Sequence, residues 1–161
     1  MNYQQQVEGF TLPLGDRQKI EIALNRSASF FSEWLGVKLP ENMPLKLRIE
    51  GDWQVFERNR NQAAPRLEFA TGYYLPSTKV AIIWKNKNFE QMFEVILHES
   101  IHALLHQLLP QTPLWLHEGL AEYFEMGVVS GQAMIIAPQK EWEKVLASAD
   151  QKGREWNIDM L

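Results

Sequence analysis

The chain contains 161 residues, no cysteine and a net charge of −4, so it can bury one core and cannot form disulfides. Its 45% hydrophobic and 22% charged residues are typical of a globular protein, and the lack of a long basic run argues against nucleic acid as a partner. No run of about 18 apolar residues occurs, so we expect no membrane span.

The first ten residues, MNYQQQVEGF, have neither the basic region nor the apolar region of a secretory signal peptide. We therefore expect a cytoplasmic protein, unless a leader was removed from the natural chain. The lack of cysteine does not decide the compartment, because periplasmic proteins can also lack disulfides.

Residues 1–87 predict an α/β lobe. Asp16 is a suitable N-cap for a first helix, whose apolar residues recur at helical spacing until Gly36. The apolar runs that follow predict a strand at 45–51, a helix at 52–61 and strands at 67–75 and 79–84. Because only a short turn separates the last two strands, we expect them to form an antiparallel hairpin.

Residues 88–161 predict a helical lobe. Asn88 is a favourable N-cap, and Gln91 stands where a capping box places it. The two predicted helices cover 89–109, ended by Pro110, and about 113–126, begun by Thr112 and ended by Gly127. With strands mostly in the first half and helices in the second, the predicted fold class is α+β, in one domain over 1–161.

The stretch HESIHALLH, residues 98–106, lies inside the first of these helices and contains an H-E-x-x-H motif. His98 and His102 are four residues apart, about 40° around a helix, so both imidazoles can reach one ion. Glu99 is poorly aimed to be a ligand, but it can reach a water bound to that ion and act as a base. The alternative is a pair of hydrogen-bonded histidines without metal, although uncompensated buried polar groups cost about 1–3 kcal/mol each.

The next predicted helix offers a third metal ligand. In PLWLHEGLAEYFE, residues 113–125, Glu118 lies about one turn from the start, and a helical hairpin would bring it towards the two histidines. We expect Gly119 to let the helices approach closely. Glu122, one turn further, is placed to accept the free ring N–H of a liganding histidine. For both glutamates the alternative is a position on a solvated helix face.

Four other residues carry weaker predictions. His106 continues the histidine face and could line the cleft, but a histidine near a helix C-terminus is also favoured by the helix dipole, which is the simpler interpretation. His117 points about 100° away from Glu118 and is expected at the surface. Tyr73 and Tyr74 lie in a predicted strand, where one of them could contact a transition state or the substrate, although strand aromatics more often serve packing.

H-E-x-x-H followed by W-L-x-E-G-x-A-x-Y resembles the gluzincin zinc metallopeptidases, which include thermolysin-like and aminopeptidase N-like enzymes. It resembles most the small peptidase-MA-like proteins, whose second motif is similar to WLxEGLAEY. The resemblance covers residues 68–126 well and the first 65 only loosely. It implies a zincin-like fold with a small N-terminal sheet and helix, followed by the H-E-x-x-H helix and a helix with the third ligand.

The same resemblance implies that His98, His102 and Glu118 bind Zn²⁺, with Glu99 as the general base. It also implies that an edge strand, here residues 69–75, pairs with substrate backbone. The G-x-M-x-N segment of the aminopeptidase N-like enzymes is absent, so aminopeptidase activity is not implied. The chain ends at REWNIDML, where larger members continue into a further helical domain, so we expect a minimal or C-terminally truncated catalytic domain.

Two function classes follow. The first is a metallopeptidase, a peptide-bond hydrolase in which Glu99 activates a zinc-bound water to attack a peptide or protein substrate. The second is a non-catalytic module of gluzincin fold that binds zinc or peptides. The intact motif favours the enzyme, whereas the short chain favours the module.

Overall fold

A computed structural model describes residues 2–34, 36, 38–40 and 43–137, and the α+β class predicted from the sequence is confirmed. Its elements in chain order are β1 (Asn2–Glu8), α1 (Leu14–Trp34), β2 (Pro44–Glu50), α2 (Trp53–Ala63), β3 (Gly72–Leu75), β4 (Val80–Trp84), α3 (Phe89–Leu108), α4 (Leu114–Glu125), β5 (Gly127–Ser130) and β6 (Ala133–Ile136). No helix among the described residues is long and apolar enough to cross a membrane.

Four strands form a mixed sheet in the order β1-β2-β4-β3. β1, β2 and β4 run parallel, and β3 runs antiparallel to β4, as the predicted hairpin required. β3 is shorter than the predicted strand at 67–75, because the N–H groups of Leu67 and Ala70 bond within turns to the carbonyls of Ala64 and Leu67. β1 was not predicted, since its three glutamines interrupt any apolar pattern.

The two faces of the sheet meet different helices. Apolar side chains of β2 and β4 pack with α1 and α3 in one buried cluster, which includes Leu24, Ile49, Ile83 and Ile96. On the opposite face α2 covers β3 and β4, with the Trp53 ring 4.7 Å from that of Trp84. Both predicted lobes therefore contribute to one core, and α3 lies directly on the sheet.

Helix α3 begins where the sequence indicates, but without the predicted capping box. Asn88 accepts from the N–H of Glu90, while its own N–H bonds to Asn86 Oδ1 and not to Gln91. At the start of α4, Thr112 does not act as the cap, because its hydroxyl donates to the Leu109 carbonyl. The two helices still form the expected hairpin.

The expectation of a helical lobe is wrong for residues 127–136, which form the two-stranded hairpin of β5 and β6. Gly131 lies at the turn with φ +59°, a conformation that favours glycine. The apolar runs on either side of this glycine, VVS and AMII, were a hairpin signal that the long helical pattern before them obscured. The predicted C-terminal truncation concerns residues 138–161, which lie outside the described residues.

Candidate metal centre

Helix α3 has one face in the core and carries the H-E-x-x-H motif beside it. Ile96, Leu97 and Ile101 are fully buried, which fixes the rotation of the helix about its axis. His98 and His102 consequently emerge together, one turn apart, with ring centroids 4.8 Å apart. Their Nε2 atoms are 3.2 Å from each other, as the helical spacing predicted.

Glu118 completes a group of three ligand atoms. Its Oε2 lies 3.7 Å from Nε2 of His98 and 3.6 Å from Nε2 of His102. Two atoms held at about 2.0–2.1 Å by one tetrahedral zinc ion are about 3.4 Å apart, so the three separations fit such an ion. Within the described part of the chain, this is the single group of three or more His, Cys, Asp or Glu residues that could hold a metal.

A second carboxylate contacts His98, and it is not the one expected. Nδ1 of His98 donates to Oε2 of Glu125 at 2.7 Å, which leaves Nε2 free to bind a metal. The predicted partner, Glu122, is exposed to solvent instead. On a helix, a residue seven positions after Glu118 lies about 20° from it, whereas one four positions after lies about 40° away on the other side. Glu125 is therefore better aligned with the ligand.

Glu99 is largely shielded from water beside the ligands. Burial raises its pKa to about 7, with the negative charges of Glu118 and Glu125 acting in the same direction. The neighbouring His98 and a hydrogen bond from the backbone N–H of Tyr74 lower this pKa in part. Glu99 thus has a pKa at which a carboxyl group can both accept and release a proton near neutral pH.

His102 is also affected by its surroundings. Burial, together with the neighbouring His98 and His117, lowers its pKa to about 4. A neutral imidazole is the form that binds metal. His102 is therefore ready to be a ligand without first losing a proton at neutral pH.

The two tyrosines of β3 lie on opposite faces of the sheet, because successive strand residues point in opposite directions. Tyr73 is fully buried under α2, with its ring 5.7 Å from that of Phe56. Tyr74 faces α3 and lines the cleft of the metal ligands, with its hydroxyl 3.4 Å from Nδ1 of His106. Burial raises the pKa of Tyr74, so the phenol keeps its proton. Of the two tyrosines, only Tyr74 is therefore placed to contact a molecule bound in the cleft.

All four histidines of the chain line this open cleft of about 460 Å³. His117 was expected at the surface, but it is partly buried, and its ring is stacked 6.1 Å from that of His102. His106 lines the cleft, which was the less favoured of its two interpretations, and contacts Tyr74. Sequence reasoning missed the position of His117 and the contact of His106 with Tyr74, because both depend on how α4 and β3 pack against α3.

The close approach in the site occurs at a different glycine from the predicted one. A Cβ added to Gly119 would meet nothing within 4 Å, so the prediction that Gly119 brings the helices together is wrong. A Cβ added to Gly72, on β3, would lie 2.4 Å from Val95 and 3.0 Å from Cγ of Glu99. Gly72 is what allows the edge strand to lie against the helix that carries Glu99.

No protein-family model matches the chain, and no curated protein sequence matches it either.

Proposed function

We propose that this protein is a zinc-dependent metallopeptidase of zincin-like fold and gluzincin type. His98, His102 and Glu118 would hold Zn²⁺, and Glu99 would act as the general base. The observation that carries the proposal is the set of three ligand atoms at tetrahedral separations with a shielded carboxyl group next to them. Three protein ligands and a free fourth position are typical of catalytic zinc.

When bound, zinc would lower the pKa of a coordinated water towards about 7 and polarise a peptide carbonyl. Glu99 takes the proton of the attacking water as its oxygen bonds to the carbonyl carbon. The same carboxyl group then gives this proton to the amine nitrogen as the C–N bond breaks. In the metal-free protein burial raises the pKa of Glu99 to about 7, which makes it a stronger base than a solvated glutamate.

The position of β3 supports the binding of an extended peptide. β3 is at an edge of the sheet, and Trp84 N–H bonds to the carbonyl of Thr71. Because antiparallel pairing alternates, the backbone groups of Gly72 and Tyr74 point away from β4, towards the cleft. Gly72 can pair with substrate backbone, while Tyr74 already donates its N–H to Glu99 and presents its hydroxyl as a donor for the substrate carbonyl.

A digest of a peptide library, with protein loaded with one zinc per chain, tests the proposal. We expect cleavage that a chelator stops and zinc restores. Glu99→Gln should keep the metal and lose at least about a hundredfold in activity, the usual contribution of a general base. Glu122→Gln is the matched control, because it makes the same change at an exposed glutamate of α4, and it should retain activity. A zinc-loaded protein that cleaves no peptide would contradict the proposal and indicate a binding module.

A further inference from the structure

Strand β1 has backbone groups that pair with nothing in the described part of the chain. β1 is the edge of the sheet opposite β3, and β2 is its neighbour there. The carbonyl of Glu8 accepts from the N–H of Gly51 at 2.8 Å, so the backbone groups of Glu8 point towards β2. Because these groups alternate in direction along a strand, those of Tyr3, Gln5 and Val7 point away from β2. Their N–H and carbonyl groups therefore form an open edge.

This edge lacks the features that usually prevent one sheet from pairing with another. β1 is seven residues long, NYQQQVE, with no proline, glycine or lysine, and its one charged residue, Glu8, is at the end. Its pairing with β2 continues from end to end without a bulge. β3, the other edge, is only four residues long. A long, regular edge strand is a template for a strand of another chain, and β1 fits this description.

The sequence of β1 is complementary to a second copy of itself in the antiparallel direction. With a twofold axis at Gln5, the opposed residues are Gln5 with Gln5, Gln4 with Gln6, Tyr3 with Val7 and Asn2 with Glu8. Residues 3, 5 and 7 of one copy then lie opposite residues 7, 5 and 3 of the other. Each such pair exchanges both of its outward N–H···O=C bonds, so no outward group of these residues is left unpaired. The carboxylate of Glu8 meets no second carboxylate across the axis.

Gln5, at the centre of this register, has a polar atom that needs a partner. Its Nε2 is buried and donates to no group that the structure describes, which is unfavourable for an amide. In the antiparallel register the two Gln5 side chains lie directly opposite each other on one face, with Cβ atoms about 5 Å apart. A rotation of each side chain lets each amide donate to the Oε1 of the other. On the opposite face Glu8 keeps its ion pair with Arg48, whose Nη2 is 2.7 Å away.

We propose that this protein forms a twofold-symmetric dimer in which β1 pairs antiparallel with β1 of a second copy. The two four-stranded sheets then become one sheet of eight strands, with β3 and the candidate metal cleft of each copy at its two outer ends. A second copy is favoured over an unrelated peptide because β1 complements itself along its whole length. The dimer depends neither on zinc nor on peptidase activity, so it is tested separately from the proposed function.

The mass of the full chain in solution is the first test. Sedimentation equilibrium should give twice the 18.8 kDa of one chain. We expect a dissociation constant below about 100 µM, so a protein that is still monomeric at about 200 µM would overturn the proposal.

Charges at the twofold axis test the register. Gln5→Lys and Gln5→Glu each place two like charges opposite each other, and each should weaken the dimer at least about tenfold. An equimolar mixture of the two variants, one of them labelled with ¹⁵N, should restore a dimer of mixed composition in native mass spectrometry. The reason is that the introduced ammonium group then faces the introduced carboxylate. This rescue is specific for an axis at Gln5.

Gln4→Lys is the matched control. It makes the same substitution one residue earlier, on the other face of the sheet, where the side chain lies opposite Gln6 of the second copy and not opposite itself. It should change the dissociation constant less than about threefold, as exposed charges usually do. Circular dichroism shows that each variant is folded. Equal weakening by Gln4→Lys and Gln5→Lys, or a mixture of the two charged Gln5 variants that stays monomeric, would overturn the proposal.

Discussion

The two walls of the cleft are built by different kinds of structure. The α3–α4 hairpin supplies the three candidate ligands and Glu99, all placed by helical spacing. The opposite wall is β3 with the loop before it: Gly72 and Tyr74 reach the cleft because of the sheet face and edge they occupy, and Leu67 reaches it from the loop. The helical wall would hold the metal, and the strand wall would contact a peptide bound beside it. The expected effects of mutations should divide in the same way.

The largest expected effect is the loss of metal when a helical ligand is removed. His102→Ala should weaken zinc binding by more than about a hundredfold, beyond the range produced by residues that only orient a ligand. Tyr74→Phe, on the strand wall, should leave zinc affinity unchanged. Both constants can be measured by competition with a chromophoric chelator. Equal weakening by the two substitutions would show that residues of the helical wall and of the strand wall do not differ in their effect on zinc affinity.

The second prediction concerns Glu99 in the metal-free protein. Its pKa is raised from 4.5 to about 7 on folding, so the folded state binds the extra proton between these values. The free energy of unfolding therefore keeps the full contribution of this group below about pH 4.5, and it loses that contribution as the pH rises through about 7. Glu99→Gln removes the charge and should stabilise the metal-free protein by up to about 3 kcal/mol at pH 8.

The difference between the two proteins should shrink to near zero at pH 4, which urea unfolding at several pH values will measure. His102 contributes an opposite trend, because its lowered pKa of about 4 removes stability as pH falls from 6.5. That trend is present in both proteins and cancels in the comparison. A stability difference that does not change with pH would show that the Glu99 carboxyl is well solvated.

The contrast between the walls also explains which features were predictable from the sequence. His98, His102 and Glu118 follow from periodicity within two helices, and in the described part of the chain the structure brings these three together. The sequence alone could not predict that Tyr74 and not Tyr73 faces the cleft, because this depends on which sheet face α2 covers. β1 was missed for a similar reason: its glutamines form a strand only because β2 is there to pair with them.

The third prediction separates the carboxylate that contacts His98 from the one that was expected to. Glu125→Gln should weaken zinc binding by about 10–100-fold, because a neutral amide oxygen is a weaker acceptor for the His98 ring N–H and makes that ring less basic than the carboxylate does. Glu122→Gln should change the affinity less than about twofold, since its side chain is exposed. The reverse order would mean that α4 is rotated when metal binds.

The smallest expected effects come from one methyl group added to each wall. Gly72→Ala places a Cβ against Val95 and Glu99, and such overpacking typically costs about 1–3 kcal/mol. Gly119→Ala, in the middle of α4, adds a Cβ in open space and should stabilise the protein by about 0.5–1 kcal/mol, since alanine restricts the unfolded chain and favours the helix. Denaturant midpoints of the metal-free proteins measure both changes.

Because Gly72 also abuts the base, Gly72→Ala should lower peptidase activity as well, whereas Gly119→Ala should not. If Gly119→Ala were the more destabilising of the two, the helices would approach each other at Gly119 after all, and the strand wall would not be what positions Glu99.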